Sequence, residues 1–314
     1  MPPKIPVLVI FAPTASGKTE LLFKLFASNK AARVISADSM QVYRGMDIGT
    51  AKPTLAEQKI LPHYLIDIKN PDEQFSVAEF VERADALCET FYAEGALPII
   101  CGGTGFYIRS FLLGLPSTPT GDEGLRQKLR AELSQLGAQA MWQKLLEADP
   151  DSANKIDPND SYRVLRALEI FFLTGKPRAA FLQEPKLRDR YAFTTIVLER
   201  DRQELYRRIE ARVDKMFEAG LEAEARGLMA RYPREAPGMQ AIGYREFFET
   251  DADGSPLGAE EIMERIKRDS KKYAKKQQVF TRGIPGATTI RVTESNDALS
   301  QISARLPGKR KIGY

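Results

Sequence analysis

The residues Ala12-Pro13-Thr14-Ala15-Ser16-Gly17-Lys18-Thr19 have the types and spacing that hold a phosphate group. Successive backbone N–H groups at a helix start surround an anion, the Lys18 ammonium neutralises it, and the Thr19 hydroxyl can ligate Mg²⁺. Ala12 departs from the pattern, which has glycine there; if that position needs a positive φ or a close approach, alanine costs about 1 kcal/mol. A loop of this kind says that phosphates bind, and its commonest employment is nucleotide hydrolysis or phosphoryl transfer. Two carboxylates, Asp38 and Asp67, could serve magnesium in such a reaction. A third cluster, Gly102-Gly103-Thr104-Gly105, carries glycines that let a ligand approach the backbone closely. Arg208 and Arg212 stand four apart on one helix face, beside an apolar stripe of Ile209, Val213, Met216 and Phe217.

These residues need a scaffold, and the chain predicts an α/β one. Val7 to Phe11 reads as a buried strand running into the phosphate loop, followed by a helix with the stripe Leu21, Leu22, Leu25 and Phe26. Arg33 to Asp38 and Leu97 to Cys101 read as further strands with the helix Ser76 to Ala93 between them. Alternation of this kind predicts a mostly parallel sheet, whose ligands sit beyond the carboxyl ends of the strands. Pro116, Pro119 and Gly121 break the pattern, and a helix-rich stretch follows from Leu125 to about Thr174. The strand-like run Phe193 to Leu198 resumes the sheet, and helices follow over about Arg202 to Arg231 and Ala259 to Phe280. The expected organisation is a P-loop-type core over residues 1–118, a helical insertion domain over 119–191, and the rest of the core over 192–314.

With 314 residues, 43% of them apolar, the chain can bury a sizeable core. It has no apolar run approaching the roughly 18 residues of a membrane span and no secretory signal, so a cytoplasmic location is expected. Cys88, Cys101 and the lone His63 cannot complete a four-ligand zinc site; these residues, and the lone Trp142, read as structural. A net charge of +4 is too mild to establish nucleic-acid binding, but its distribution is informative. Lys267, Lys271 and Lys275, and Arg268, Lys272 and Lys276, form two rows at helical spacing with no acidic residue in either row. Apart from the basic tail Lys309 to Lys311 there is no biased tract.

Longer motifs select among phosphate-loop proteins. Ser36-Ala37-Asp38-Ser39-Met40-Gln41-Val42-Tyr43-Arg44, Ile48-Gly49-Thr50-Ala51-Lys52-Pro53 and Gly102-Gly103-Thr104-Gly105-Phe106-Tyr107 resemble successive motifs of the tRNA dimethylallyltransferases. So do Asn159-Asp160, Arg163 to Glu169, Thr174-Gly175-Lys176-Pro177, Ala241-Ile242-Gly243-Tyr244-Arg245-Glu246 and Tyr273-Ala274-Lys275-Lys276-Gln277. The resemblance runs in order over roughly residues 7 to 282, with the spacing of a bacterial member.

The resemblance implies a P-loop-type α/β core with a helical insertion that grips the tRNA anticodon stem-loop. It implies transfer of a dimethylallyl group from dimethylallyl diphosphate to N6 of adenine 37, next to the anticodon, with Mg²⁺, release of diphosphate and no consumption of ATP. Residues 12–19 would then bind the donor diphosphate together with Arg208 and Arg212. An exocyclic adenine amine is a poor nucleophile, so Asp38 is expected to accept its proton, the alternatives being a magnesium-binding carboxylate or a helix cap. Lys18, Thr19 through Mg²⁺, and Arg212 are expected to stabilise the leaving diphosphate. In the family pattern Asp38, Ser39, Met40, Gln41, Thr104 and Arg126 contact tRNA. Arg163, Arg166, Gly243, Tyr244, Arg245, Lys272, Lys275, Lys276, Gln277 and Phe280 are further expected contacts, with the target base drawn out of its loop. Lys276 stands where arginine is usual, which loses bidentate contacts, and Phe280 where tryptophan is common, which can still stack. The scheme needs one chain, so a monomer is expected. Rival readings are an adenylate isopentenyltransferase acting on free AMP, a P-loop kinase or NTPase, and a non-catalytic RNA-binding module.

Overall fold

The computed structural model describes residues 3–118, 121–181, 185–293 and 297–306. The tail Lys309 to Lys311 and the breaker Pro119 lie outside them. Division by internal contacts gives two compact units, one running to Gly114 and resuming at Leu187, the other covering Leu115–Lys186.

The first unit alternates strands and helices: β1 (Ile5–Phe11), α1 (Lys18–Phe26), β2 (Ala32–Ser36), α2 (Leu55–Ile60), β3 (His63–Tyr64), α3 (Val77–Ala93), β4 (Leu97–Gly102) and α4 (Gly105–Leu113). The second unit holds α5 (Glu123–Ala148), α6 (Pro150–Ala153) and α7 (Ser161–Thr174). The first unit then resumes with β5 (Tyr191–Glu199), α8 (Arg202–Glu218), α9 (Leu221–Met229), α10 (Ala259–Thr281), β6 (Ala287–Arg291) and α11 (Asp297–Ser303). The six strands form one sheet in the order β3-β2-β4-β1-β5-β6, every pairing parallel. Parallel strands are covered on both faces, which explains why β4 is buried at every position and β1 at all but one. Leu8, Ile10, Ile99, Ile196 and Leu198 join Leu22 and Phe26 of α1 in a continuous apolar core.

In α5 the chain turns at Gly137, whose φ of 82° no helix interior adopts, so the element is two helices in succession. Leu129, Met141, Leu145, Val164 and Leu168 form the second unit's own core. Trp142 donates its indole N–H to the carbonyls of Ala153 and Ile156, both at 3.1 Å, and His63 bonds the Leu61 carbonyl at 2.7 Å; both have structural roles.

The unit boundaries differ from the sequence expectation of 119 and 191, for identifiable reasons. Gly114, with φ 86°, ends α4, and Leu115 already belongs with the helical unit. At the other end Arg188 forms a bidentate pair with Asp85 of α3 at 2.8 and 2.6 Å, and the Tyr191 hydroxyl donates to the same carboxylate at 2.7 Å. The segment before β5 is thereby tied to the sheet unit. The span 202–231 is likewise interrupted, since Gly220 at φ 97° separates α8 from α9.

Because all strands are parallel, the turns after β1, β2, β4 and β5 leave the same edge of the sheet. There the backbones crowd: a Cβ built on Gly102 would lie 2.0 Å from the Ala37 carbonyl oxygen. No side-chain adjustment can relieve that overlap, because the obstacle is backbone. We predict that Gly102→Ala destabilises the protein by about 3 kcal/mol or more. Gly227→Ala, in a helix with nothing within 4 Å of the added carbon, should stabilise slightly or be neutral. Urea unfolding of the two variants checks the contrast.

Candidate active site

The phosphate loop links β1 to α1, and its shape is set at two left-handed positions, Ala15 at φ 59° and Gly17 at φ 86°. Ala12 is not one of them. It is fully buried, with its N–H directed to the Gly102 carbonyl at 3.3 Å. The glycine-to-alanine departure at position 12 therefore carries no left-handed strain; the left-handed alanine of the loop is Ala15. Lys18 folds back along the loop and donates to the carbonyls of Ala12 and Pro13, both at 2.9 Å. Ser16 is 2% exposed, and its Oγ is the one buried side-chain polar atom among the described residues with no hydrogen-bond partner. Leaving such a group unmatched costs about 1–3 kcal/mol, a cost that an incoming anion oxygen removes.

Two further cations reach the loop from α8. Arg208 Nε donates to the Ala15 carbonyl at 2.9 Å, and Arg212 Nη1 donates to Thr14 Oγ1 at 2.9 Å. The sequence pairing of these arginines on one face is what the helix delivers, and the buried stripe Leu205, Ile209, Val213 and Met216 beside them anchors the helix. Lys18, Arg208 and Arg212 are all held by neutral oxygens, and none makes an ion pair with a carboxylate among the described residues. Burial pushes the Lys18 ammonium below its ordinary range, with Asp38 pulling it back and Arg212 adding to the fall. Burial likewise lowers Arg212, again opposed by Asp38. Charge desolvated without a counter-ion is expensive unless a ligand supplies one.

A fourth cation was missed in the sequence. Arg200 follows β5 directly, donates to the Ser16 carbonyl at 3.2 Å through Nη2, and is paired with Glu204. Its signal was available, because it stands at the carboxyl end of a predicted strand, where ligand-facing residues collect.

The turn after β2 brings the second group of residues to the same edge. Asp38 Oδ1 accepts from the Met40 N–H at 2.9 Å, which fixes the turn, while Oδ2 receives no hydrogen bond from the described residues. Thr104, beside β4, accepts the Ser39 N–H at 3.0 Å and donates toward Ser39 Oγ at 3.3 Å. Ser36 donates to Gln41 Oε1 at 2.9 Å, and Gln41 Nε2 points at the Thr50 carbonyl at 3.3 Å. Tyr273 of α10, quoted in the motif but not singled out there, completes this side. Burial and the nearby Asp38 push its phenol up to about 12, against hydrogen bonding with Thr104 and Gln277.

These two groups line one cleft of about 780 Å³, with Thr14 to Thr19 and Arg212 on one side and Asp38 to Gln41, Gly103 and Tyr273 on the other. That is an ample volume for a small ligand, for which roughly 300–1,000 Å³ is usual. Among the described residues no three His, Cys, Asp or Glu side chains form a metal cluster. Thr19 is exposed at the cleft. A cation such as Mg²⁺ fits here through one hydroxyl together with the oxygens of a bound diphosphate, the sparse protein ligation magnesium tolerates. Asp67 is not available for it, being engaged with Lys52 at 2.6 Å.

The remaining sequence-predicted contacts divide. Tyr244 is fully buried; its hydroxyl donates to Glu224 at 2.6 Å and accepts from the Gly49 N–H at 3.1 Å, so it supports the 47–49 turn and cannot present itself to tRNA. Gly243 is buried too, its N–H held by Glu246 at 2.8 Å, whereas Arg245 is half-buried and paired with Asp269. Gln277 is 5% exposed and bonded at both ends within the fold. Phe280 meets Phe11 edge-on at 6.1 Å and abuts Gly105, so its stacking is internal.

The basic helix is α10, but its rows are not free of acid. Lys267 pairs with Asp214 at 2.7 Å, Lys271 with Glu210 at 2.5 Å, and Arg268 and Lys272 with Asp269 at 3.1 and 3.3 Å. The neutralising residues come from α8 and from between the rows, which a search along the rows alone does not find. Lys275 and Lys276 are exposed and make no ion pair among the described residues. In the helical unit the nearly buried Glu169 gathers Arg126 at 2.8 Å and Arg166 at 2.5 Å, and Arg163 pairs with Asp160 at 3.2 Å.

Two predictions follow from the loop. Ser16→Ala removes the orphaned hydroxyl, so it should leave unliganded stability unchanged or raise it by up to about 1 kcal/mol, yet weaken inorganic pyrophosphate binding roughly tenfold. Equal losses of both would contradict the assignment. Lys18 has a lowered pKa in the free protein, and an adjacent anion favours its charged form. Pyrophosphate binding in the alkaline range should therefore take up a proton and weaken as pH rises. Calorimetry in buffers of differing ionisation enthalpy reads the uptake, which Lys18→Met should abolish.

The sequence profile of the IPP transferase family matches residues 41–283. "tRNA dimethylallyltransferase 2" of Geotalea uraniireducens is 44% identical over 280 residues, covering 88% of this chain and 89% of that one. Among solved structures, the tRNA isopentenylpyrophosphate transferase of Bacillus halodurans superposes with a TM-score of 0.68 at 39% identity, covering 96% and 97% of the two chains. A eukaryotic dimethylallyltransferase studied acting on tRNA gives a TM-score of 0.77 at 28% identity, over 96% of this chain and 76% of its own. With the phosphate loop, the Asp38 turn and the parallel sheet all in place, the chain belongs to the IPP transferase family, alongside the tRNA dimethylallyltransferases.

Proposed function

We propose that the protein transfers the dimethylallyl group of dimethylallyl diphosphate to N6 of adenine 37, beside the anticodon of tRNA, releasing diphosphate. The observation that carries this reading is the set of partly buried cations with no carboxylate partner among the described residues, Lys18, Arg208 and Arg212, gathered near the orphaned Ser16 hydroxyl in the same cleft as Asp38. A diphosphate satisfies those groups, and as a leaving group it gains charge where the cations are already fixed. Mg²⁺ held by Thr19 and the diphosphate would supply further neutralisation of that charge.

Asp38 has the placement for the acceptor's proton. One oxygen holds the turn and the other faces the cleft without a partner, so it can accept a proton from the adenine amine as the C–N bond forms. Ser39 and Thr104 are bonded to each other, and Gln41 is held by Ser36 and by the Asp38 carboxylate, which suits the three to hold a base drawn out of the anticodon loop. Arg126, Arg163 and Arg166 of the helical unit and the unpaired Lys275 and Lys276 are proposed phosphate contacts. Among the described residues no helix is long and apolar enough to cross a membrane. We place the protein in the cytoplasm, acting as a monomer.

Of the two carboxylates that a nucleotide-hydrolysis reading could use for magnesium, Asp67 is committed to Lys52, which leaves that reading to Asp38 alone. The free-adenylate reading would leave the exposed Lys275 and Lys276 without a task.

The test is incubation with labelled dimethylallyl diphosphate and Mg²⁺, offering unmodified tRNA, the same tRNA with the target adenine replaced, or free AMP. Label should enter only the intact tRNA; label in AMP, or hydrolysis of nucleoside triphosphates without label, would overturn the reading. Asp38→Ala should bind both substrates within severalfold of wild type and lose roughly a hundredfold in turnover. Near-normal turnover of that variant removes Asp38 as the base.

A further inference from the structure

Gln277 bridges the phosphate loop and the turn after β4 beyond the point where β1 and β4 pair and Ala12 bonds the Gly102 carbonyl. Its Oε1 accepts the Thr14 N–H at 2.9 Å, and its Nε2 donates to the Gly103 carbonyl at 2.7 Å. The residues joined are 263 and 174 positions away in sequence. Both ends are continued. Thr14 accepts Arg212 through its hydroxyl, and Thr104, next to Gly103, accepts the Ser39 N–H. An unbroken chain of hydrogen bonds and short backbone links therefore runs from Arg212 through Thr14, Gln277 and Thr104 to Ser39 and Asp38.

The fit around the amide is tight. A Cβ on Gly103 would lie 2.5 Å from Nε2, so glycine is what lets the amide reach that carbonyl. Gln277 is 5% exposed, Ala274 one turn before it is fully buried, and Phe280 behind it is wedged against Gly105. The helix α10 therefore seats the side chain from both directions at the wall of the cleft, beside Tyr273.

We propose that Gln277 is a positioning residue that sets the separation between the diphosphate loop and the Asp38 turn, and so the distance between the donor carbon and the acceptor nitrogen. This rests on the proposed prenyl transfer to tRNA. Transfer requires the two reacting atoms to be held close and aligned, and small misplacement is costly in rate while leaving each substrate's own contacts intact. The amide is suited to the task because its two ends have opposite polarity, matching one N–H and one C=O. A carboxylate in its place could accept from Thr14 but could not donate to Gly103 unless protonated, and burial raises a carboxyl's pKa toward the working range.

The experiment compares wild type, Gln277→Glu and Gln277→Met in single-turnover transfer at saturating donor and tRNA, with KM for each substrate and thermal unfolding. Gln277→Glu should keep both KM values within about threefold and lose roughly tenfold or more in the transfer rate at pH 8. Its rate relative to wild type at the same pH should climb as pH falls and the carboxyl gains its proton. Gln277→Met, which keeps length and volume, should show the loss without the recovery, and it decides the matter where the Glu variant does not fold. Transfer at saturation within twofold of wild type, a loss confined to KM for tRNA, or a pH-independent defect in the Glu variant would overturn the proposal. A wild-type protein that labels no tRNA would instead refute the prenyl-transfer reading beneath it.

Discussion

Positive charge partly withdrawn from water, with no carboxylate partner among the described residues, is the constraint from which the rest of the cleft follows. Lys18, Arg208 and Arg212 spend their hydrogen bonds on carbonyls and one hydroxyl, which orient them without neutralising them. Had carboxylates been supplied, the cations would rest more comfortably and the site would have no affinity left for an anion. Arg200 shows the contrast within a few ångströms of the same loop: it is paired with Glu204 and contributes shape, holding the Ser16 carbonyl, more than field. The fold tolerates the uncompensated set because the parallel sheet beneath it, buried on both faces, supplies the stability the site does not.

That sheet also explains why distant residues converge. Four parallel strands send their outgoing turns to one edge, so residues near positions 14, 38, 103 and 200 become neighbours without any of them being close in sequence. The price of such crowding is steric, and glycine meets it where backbone faces backbone at Gly102 and where side chains press in at Gly49, Gly103 and Gly105. The motif glycines thus record close approach of the protein to itself at least as much as to a ligand.

This is where the sequence was legible and where it was not. The phosphate loop, the strand ends and the Arg208–Arg212 pair were readable because each depends on local spacing of the kind a strand or a helix enforces. Whether position 12 needs a positive φ was not legible, because φ belongs to the folded loop, which places its left-handed alanine at position 15. The basic rows of α10 were overestimated because Asp214 and Glu210 approach from another helix, at a sequence distance no periodicity reports. Tyr244 and Gln277 looked like surface contacts since polar residues in a motif invite that reading. Both turn out to be buried and satisfied internally, and their motif positions reflect support of the 47–49 and 103–105 turns.

Asp38 reconciles two alternatives that the sequence could only set side by side. As a turn-capping residue it accepts the Met40 N–H, and as a proton acceptor it needs an oxygen facing the cleft. A carboxylate has two oxygens, and here they are divided between the two duties. The bond to the turn restricts rotation of the carboxylate, so its second oxygen is held in place without a hydrogen-bond partner among the described residues. Lys18 and Arg212 are close enough to feel its charge, yet neither makes a hydrogen bond to it, which leaves that oxygen available. The same cations that line the phosphate loop thus lie within electrostatic reach of Asp38, so that the two sides of the cleft share one field.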